Sequence, residues 1–181
     1  MVDLSKLKSH GVDCQVDDLA LLINPEMIEL GNHVRIDAFT KILGGKGVKI
    51  GDYCHISSFC SIIGGGEFIM GDYSTTACGC RIITGDDDYL GGGMTNPTVP
   101  RKFRPTVKIG KVKIGKHTIL GTNTIVHINT KLGDGTATGS GTIVTKDLPE
   151  WGIWIGAPAK LYKKRRSDII LSMEEELRNG I

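Results

Sequence analysis

The chain has 181 residues, enough for one domain with a real core and a small appendage. A net charge of +2 is too balanced to point to a nucleic-acid partner, and no apolar run nears membrane-spanning length. Aromatic residues at 6% and 25 glycines suit a fold of narrow coils and tight corners rather than a bulky aromatic core.

The opening residues, MVDLSKLKSH, lack the apolar stretch of a signal peptide, so a cytoplasmic protein with no membrane insertion is expected. Residues 1–29 read as an N-terminal cap. DLSKLKSH suits a short helix, and the stretch through Leu22 and Pro25 would cover the end of an array, whose terminal coil otherwise exposes apolar side chains. From Leu30 the chain falls into sixes: LGNHVR IDAFTK ILGGKG, IGDYCH ISSFCS IIGGGE, MGDYST TACGCR IITGDD. These groups start at residues 30, 50 and 70, and the extra pairs Val48-Lys49 and Phe68-Ile69 bring the period to twenty. Three hexads per turn describe a three-sided prism. Three of the cysteines, Cys54, Cys60 and Cys80, fall on the small corner position, which predicts buried thiols of a reducing compartment rather than disulfides or metal ligands.

The pattern stops over residues 85–107, GDDDYLGGGMTNPTVPRKFRPTV, a loop too long to be a plain connection in a compact array. It returns near Ile109 and becomes regular from Ile114 to Leu148. There Ile114, Leu120, Val126, Leu132, Thr138 and Val144 share one position of the hexad, and Thr118, Thr124, Thr130, Thr136, Thr142 and Leu148 another. Neither a helix nor a hairpin has a period of six. A parallel β-helix does, with one large side chain inward and a small one at the following corner. The expected fold is therefore all-β: a parallel β-helix over residues 30–150 with the excursion at 85–107, then a C-terminal segment, 151–181. That segment ends in an α-helix over IILSMEEELRN, capped by Ser167 or Asp168 and closed by Gly180.

The hexads, the mid-array loop, VTKDLPEW and GAPAK together resemble the hexapeptide-repeat acyltransferases, over roughly residues 30–166. The nearest branches are the sugar O-acetyltransferases and the nucleotide-sugar N-acetyltransferases. The resemblance implies a left-handed parallel β-helix, a homotrimer with active sites between subunits, and acetyl-CoA as co-substrate. Left-handedness runs against the usual crossover rule and comes from the resemblance alone. It also implies that Thr122, Ser140, Thr145 and Lys146 contact coenzyme A, with Lys160 and Lys163 against its phosphates. Lys163 sits in a run with Lys164, Arg165 and Arg166, and such runs are commonly solvated faces.

Acyl transfer from a thioester needs no metal, but it needs a positioned donor, an oxyanion stabiliser and a route for the acceptor proton. Relatives with a His in the loop would supply a base there; this chain has Asp86-Asp87-Asp88-Tyr89 and no loop His. The resemblance then points to His55, outward beside an inward Ile56, as the base, with Asp86 or Asp87 to orient the ring. Imidazole, with a reference pKa of about 6.5, suits that task near neutral pH. Asp88, Tyr89, Thr95 and Asn96 are candidate sugar contacts, although TNP also reads as a turn. His127 is a second candidate base, His33 and His117 suit corners, and His10 carries no argument.

The expected reaction is acetyl transfer to a sugar hydroxyl in glycan biosynthesis, the alternative being N-acetylation of a nucleotide-linked amino sugar. A zinc enzyme of the γ-carbonic-anhydrase type would need His residues in register on adjacent coils, and His33 and His55 are out of register. A non-catalytic scaffold would leave the excursion and GAPAK without a role.

Overall fold

The computed structural model describes residues 2–180; Met1 and Ile181, the outer ends of the two terminal segments, lie outside the described residues. Three largely parallel sheets enclose one core, and each coil lays one strand on each face. The first coil is Ser9–His10, Gln15–Val16 and Leu21–Ile23, the second Ile28–Leu30, Arg35–Ile36 and Lys41–Leu43. The third is Gly47–Ile50, His55–Ile56 and Ser61–Ile63, and the fourth Glu67–Met70, Thr75–Thr76 and Arg81–Ile83. After the excursion come Lys111–Ile114, Ile119–Leu120 and Ile125–Val126, then Lys131–Leu132, Ala137–Thr138 and Ile143–Val144. A partial seventh turn bridges Leu148 to Leu132, adds Gly152–Ile155 to the second face, and folds back antiparallel as Lys160–Lys164.

The array thus begins at Ser9, and the stretch read as a cap holds a full coil of its own. Leu7 closes its open end, with Val2 and Leu4 packed against the core beside it. The coil spacing changes along the prism. Leu30 pairs with Ile50 and Ile50 with Met70, twenty residues apart, whereas Ile114 pairs with Leu132, eighteen apart.

Strands of two to four residues are too short to hold alone; stacking on both edges and one inward side chain per strand stabilise them. Ile36, Ile56 and Leu120 form such a column on the second face, and Ile42, Ile62, Ile82, Val126 and Val144 on the third, all buried. Each large side chain so buried contributes roughly 1.5–3 kcal/mol relative to exposure. The corners take small side chains because the next coil's backbone is close. Cys14 and Cys54 donate from sulfur to the carbonyls of Gly31 and Gly71 at 3.1 and 3.2 Å, and Ser74 from its hydroxyl to Gly115 at 2.8 Å. Burial pushes the Cys54 thiol up to about 12. Cys60 and Cys80 likewise donate from sulfur to Ala77 O and Gly121 O at 3.2 and 3.3 Å.

The corner between the first and second faces turns through left-handed backbone at His33, Tyr53, Tyr73, His117 and Trp151, with φ of 51–59°. Their rings stack in a continuous column with centroid separations of 4.5, 5.5, 5.0 and 6.2 Å. The sixth coil contributes Gly135 here, and a Cβ on it would lie 2.2 Å from the Trp151 ring, so the missing side chain is what lets Trp151 reach His117. The C-terminal helix Asp168–Gly180 docks on this column. Glu174 accepts from His117 Nε2 at 2.6 Å and pairs with Arg178, which lies beside Tyr73.

Candidate functional site

The second face carries the most concentrated chemistry. The twenty-residue register sets Arg35 beside His55 and His55 beside Thr75, all outward, next to inward Ile36, Ile56 and Thr76. His55 Nε2 donates to Asp37 Oδ2 at 2.8 Å, and Arg35 Nε donates to Asp37 Oδ1 at 2.7 Å. Thr75 Oγ1 lies 3.5 Å from His55 Nδ1. Burial alone would raise the Asp37 carboxyl, but the hydrogen bonds from His55 and Arg35 outweigh it and hold that group below its ordinary range. An open groove of about 570 Å³, lined by Gln15, Asp17, Arg35 and Asp37, borders this cluster on the side of the first coil.

Farther along the same face the outward residues lose their polarity. Past Ser57 and Ala77 the equivalent places are Gly121 and Gly139, flanked by Ile119, Ala137 and Ile153. Close contact between coils accounts for Gly121, whose Cβ would meet Thr138 O at 2.6 Å. The result is one face divided into a polar half and a smooth half.

The expected orienting carboxylates are not beside His55 within this chain. Asp86 and Asp87 follow the third-face strand, one corner farther round the prism, and the carboxylate on His55 is Asp37, from the coil before. The excursion starts as an antiparallel pair, Gly85–Asp86 with Lys108–Ile109. Asp86 Oδ1 accepts from the Asp87 amide at 3.0 Å, and Arg104 lies 3.7 Å from Asp87. Asp86, Asp87, Tyr89, Arg104 and Lys108 line a cavity of about 320 Å³ at the base of the loop. Tyr89 is 84% exposed, and the neighbouring Asp86 carboxylate raises the phenol's pKa. Asp88 turns inward to the loop, accepting from the Leu90 amide at 2.8 Å and the Thr106 hydroxyl at 3.0 Å. Asn96 closes its own turn on the amide and hydroxyl of Thr98 at 3.0 and 2.9 Å, while Thr95 is exposed.

Of the residues expected at coenzyme A, the corner between second and third faces gathers Thr122 and Ser140, with the Gly141 amide donating to Thr122 O at 2.8 Å. Lys160 enters beside them, since the preceding Ala159 amide donates to Ile143 O and Lys160 pairs with Ile155. Lys163 lies on the same outer strand opposite Ile153. Thr145 and Lys146 stand apart from these, past the third-face strand, and both are exposed. In the TKD segment Asp147 is structural: it accepts the Lys131 amide at 2.7 Å.

His33 and His117 sit in the ring column at the corner, as their spacing predicts, and His117 is engaged by Glu174. His127 follows Val126 on the third face, and His10 bonds the adjacent Gly11 carbonyl. Among the described residues no group of three His, Cys, Asp or Glu side chains is placed to hold a metal ion. Among them, too, no helix is long and apolar enough to cross a membrane.

Sequence reasoning missed Asp37 and Arg35. The signal was present in the period: Arg35 is one coil before His55, and Asp37 is the next outward place in its row.

No protein-family model matches the chain. It is 34% identical over 164 residues to the dTDP-4-amino-4,6-dideoxy-D-glucose acyltransferase of Escherichia coli, which covers 90% of this chain and 85% of that protein. Among solved structures it is similar to the N-acyltransferase AntD from Bacillus cereus. A variant of AntD in complex with dTDP-4-amino-4,6-dideoxyglucose and coenzyme A gives a TM-score of 0.90 at 32% identity over 96% of this chain and 92% of that one. AntD with dTDP and 3-hydroxybutyryl-CoA gives 0.89 at 31%, over 97% and 93%. A likeness in fold alone extends to the hexapeptide-repeat acetyltransferase VCA0836 of Vibrio cholerae, with a TM-score of 0.61 at 15% identity over 90% and 74%. With its solenoid of hexads and this similarity over nearly its whole length, the chain belongs to the hexapeptide-repeat acyltransferases.

Proposed function

We propose that this protein transfers an acyl group from acyl-CoA to the amino group of a nucleotide-linked amino sugar. The observation that carries the reading is the one-third identity, over nearly the full chain, to N-acyltransferases whose described acceptor is a dTDP-linked 4-amino sugar. It favours the amine, the alternative weighed from the sequence, over the sugar hydroxyl first expected from the family resemblance. A neutral amine is nucleophilic enough to attack a thioester without prior deprotonation, which also agrees with a loop lacking His.

In this reading the coenzyme A arm lies along the smooth half of the second face. Thr122 and Ser140 meet its amides, and Lys160 and Lys163 meet its phosphates; Thr145 and Lys146, past the third-face strand, could meet the arm only from a neighbouring subunit. The acceptor lies over the polar half, where His55 takes the proton that the amine sheds. Asp86, Asp87, Asp88, Tyr89, Thr95 and Asn96 act from the excursion of a neighbouring subunit in a homotrimer, since within one chain the loop and His55 are a corner apart. The buried, unpaired thiols are in keeping with a cytoplasmic setting.

The test is direct. The protein is incubated with acetyl-CoA or 3-hydroxybutyryl-CoA and dTDP-4-amino-4,6-dideoxyglucose, with release of free thiol followed and the product weighed by mass spectrometry. Saturable release and a mass gain of one acyl group are expected with the amino sugar and not with its 4-hydroxy counterpart. Turnover confined to hydroxyl acceptors would overturn the assignment.

A further inference from the structure

We infer that Asp37, held by Arg35, is a positioning residue that fixes His55 with its proton on Nε2 and presents Nδ1 as the basic atom to the acceptor amine. This rests on the reading of His55 as the proton acceptor. The geometry is specific. A carboxylate 2.8 Å from Nε2 accepts a hydrogen bond, so in neutral imidazole the proton is on Nε2 and the lone pair on Nδ1. Arg35 occupies the other carboxylate oxygen, so Asp37 cannot swing away without breaking a second charged hydrogen bond. Asp37 is also the less exposed partner, at 17% against 39% for His55, which suits a fixed orienter beneath a working base.

The direction of Nδ1 ties the cluster to the donor. Nε2 faces back toward the second coil, where Asp37 sits, and Nδ1 faces Thr75 on the fourth. Beyond Thr75 the second face continues into Ile119, Gly121, Ala137 and Gly139, the smooth half assigned to the coenzyme A arm. The Nδ1 lone pair, with the Thr75 hydroxyl 3.5 Å away, therefore points toward the thioester end, and the acceptor amine is placed over the third and fourth coils. As the carbon–nitrogen bond forms and the carbon–sulfur bond breaks, the amine proton passes to Nδ1. It leaves again on the departing coenzyme A thiolate, so His55 ends the cycle neutral. The charged groups facing the ring from the neighbouring coils are Asp37 and Arg35, with Asp17 farther along the groove; the fourth coil contributes the uncharged Thr75.

The test compares His55→Ala, Asp37→Asn and the unaltered protein. With Asp37→Asn the turnover number is expected to fall roughly 10–100-fold, by analogy with the loss seen when the hydrogen-bond partner of a metal-bound imidazole is removed. The KM for acyl-CoA should hold. The acidic limb of the rate profile should move to lower pH, because the imidazolium loses its counter-charge, and Asp37→Glu should recover part of the loss. Nitrogen-15 spectra of the unaltered protein should show His55 with its proton on Nε2, and this measurement stands even where Asp37→Asn folds poorly. A proton on Nδ1, or an unmoved pH profile in a folded Asp37→Asn protein, overturns the inference. Full activity in His55→Ala instead defeats the base reading beneath it.

Discussion

The C-terminal helix has no buried residue, so its attachment rests on a few named contacts, and Glu174→Ala isolates the main one. Glu174 and His117 are each about one-tenth exposed and meet at 2.6 Å, so this is a shielded, charge-assisted bond rather than a surface pair. The substitution also releases Arg178, which lies beside Tyr73. Hydrogen bonds to charged groups contribute roughly 1.5–3 kcal/mol, which corresponds to a rise of roughly 10–150-fold in the opening constant of the helix. Alanine is the best helix former, so intrinsic propensity cannot account for a loss. Hydrogen–deuterium exchange read over residues 168–180 should show that loss of protection, while exchange in the inward strands at Ile56 and Leu120 stays unchanged. A fall of the whole melting transition would mean that the helix is part of the cooperative core; unaltered protection would mean that other contacts hold it.

Two glycines with similar backbone separate strain from crowding. Gly135 and Gly141 have φ of 66° and 70°, but a Cβ at Gly135 meets the Trp151 ring at 2.2 Å, whereas at Gly141 it meets open space. Gly141→Ala should cost about 1 kcal/mol in urea unfolding, the penalty of left-handed backbone, and Gly135→Ala clearly more because Trp151 must leave the column. Equal losses would discredit the ring column as a packed element. A third prediction concerns acid. Burial opposes the charge on Asp72, yet the hydrogen bonds from Lys116 and the Asp52 amide prevail and lower its pKa below 3.8, while Lys116 is raised above 10.5. A lowered carboxylate adds stability above its unfolded value and loses it as pH falls through the folded one; the raised amine adds stability below about 10.5 and loses it above. Lys116→Met should thus cost up to about 1 kcal/mol at pH 7, given the pair's exposure, and nothing near pH 2. A constant difference at both pH values would contradict the pairing.

The prism was legible because its rule is local: every sixth residue faces the core, and Ile114, Leu120, Val126, Leu132, Thr138 and Val144 are all buried. The first coil escaped notice because one of its three inward places fails. Val16 and Leu22 keep the period, but His10 stands where Leu30 and Ile50 follow, exposed at the open end. The His55 cluster was half legible. The imidazole was singled out through the family resemblance, whereas its partner is set by stacking between coils and lies eighteen positions away in the chain. The ring column was hidden for the same reason. Its members are scattered one per coil, and the gap at Gly135 is bridged only in space. The excursion showed its presence by breaking the pattern, yet nothing in GDDDY announces that Asp88 would turn inward while Tyr89 stays out.

The change in coil spacing has an engineering consequence. Strands on the first face are four residues long at Gly47–Ile50, Glu67–Met70 and, past the excursion, Lys111–Ile114, but two at Lys131–Leu132, so the prism has two gauges joined between its fifth and sixth coils. A duplicated block of residues 31–50 would extend the broad end, and one of residues 115–132 the narrow end, each keeping its own inward columns aligned. Exchanging the blocks would put a wide rung on a narrow one and leave two residues per turn with no place to stack. Lengthened or hybrid solenoids from this chain should therefore be assembled within a gauge, never across the junction.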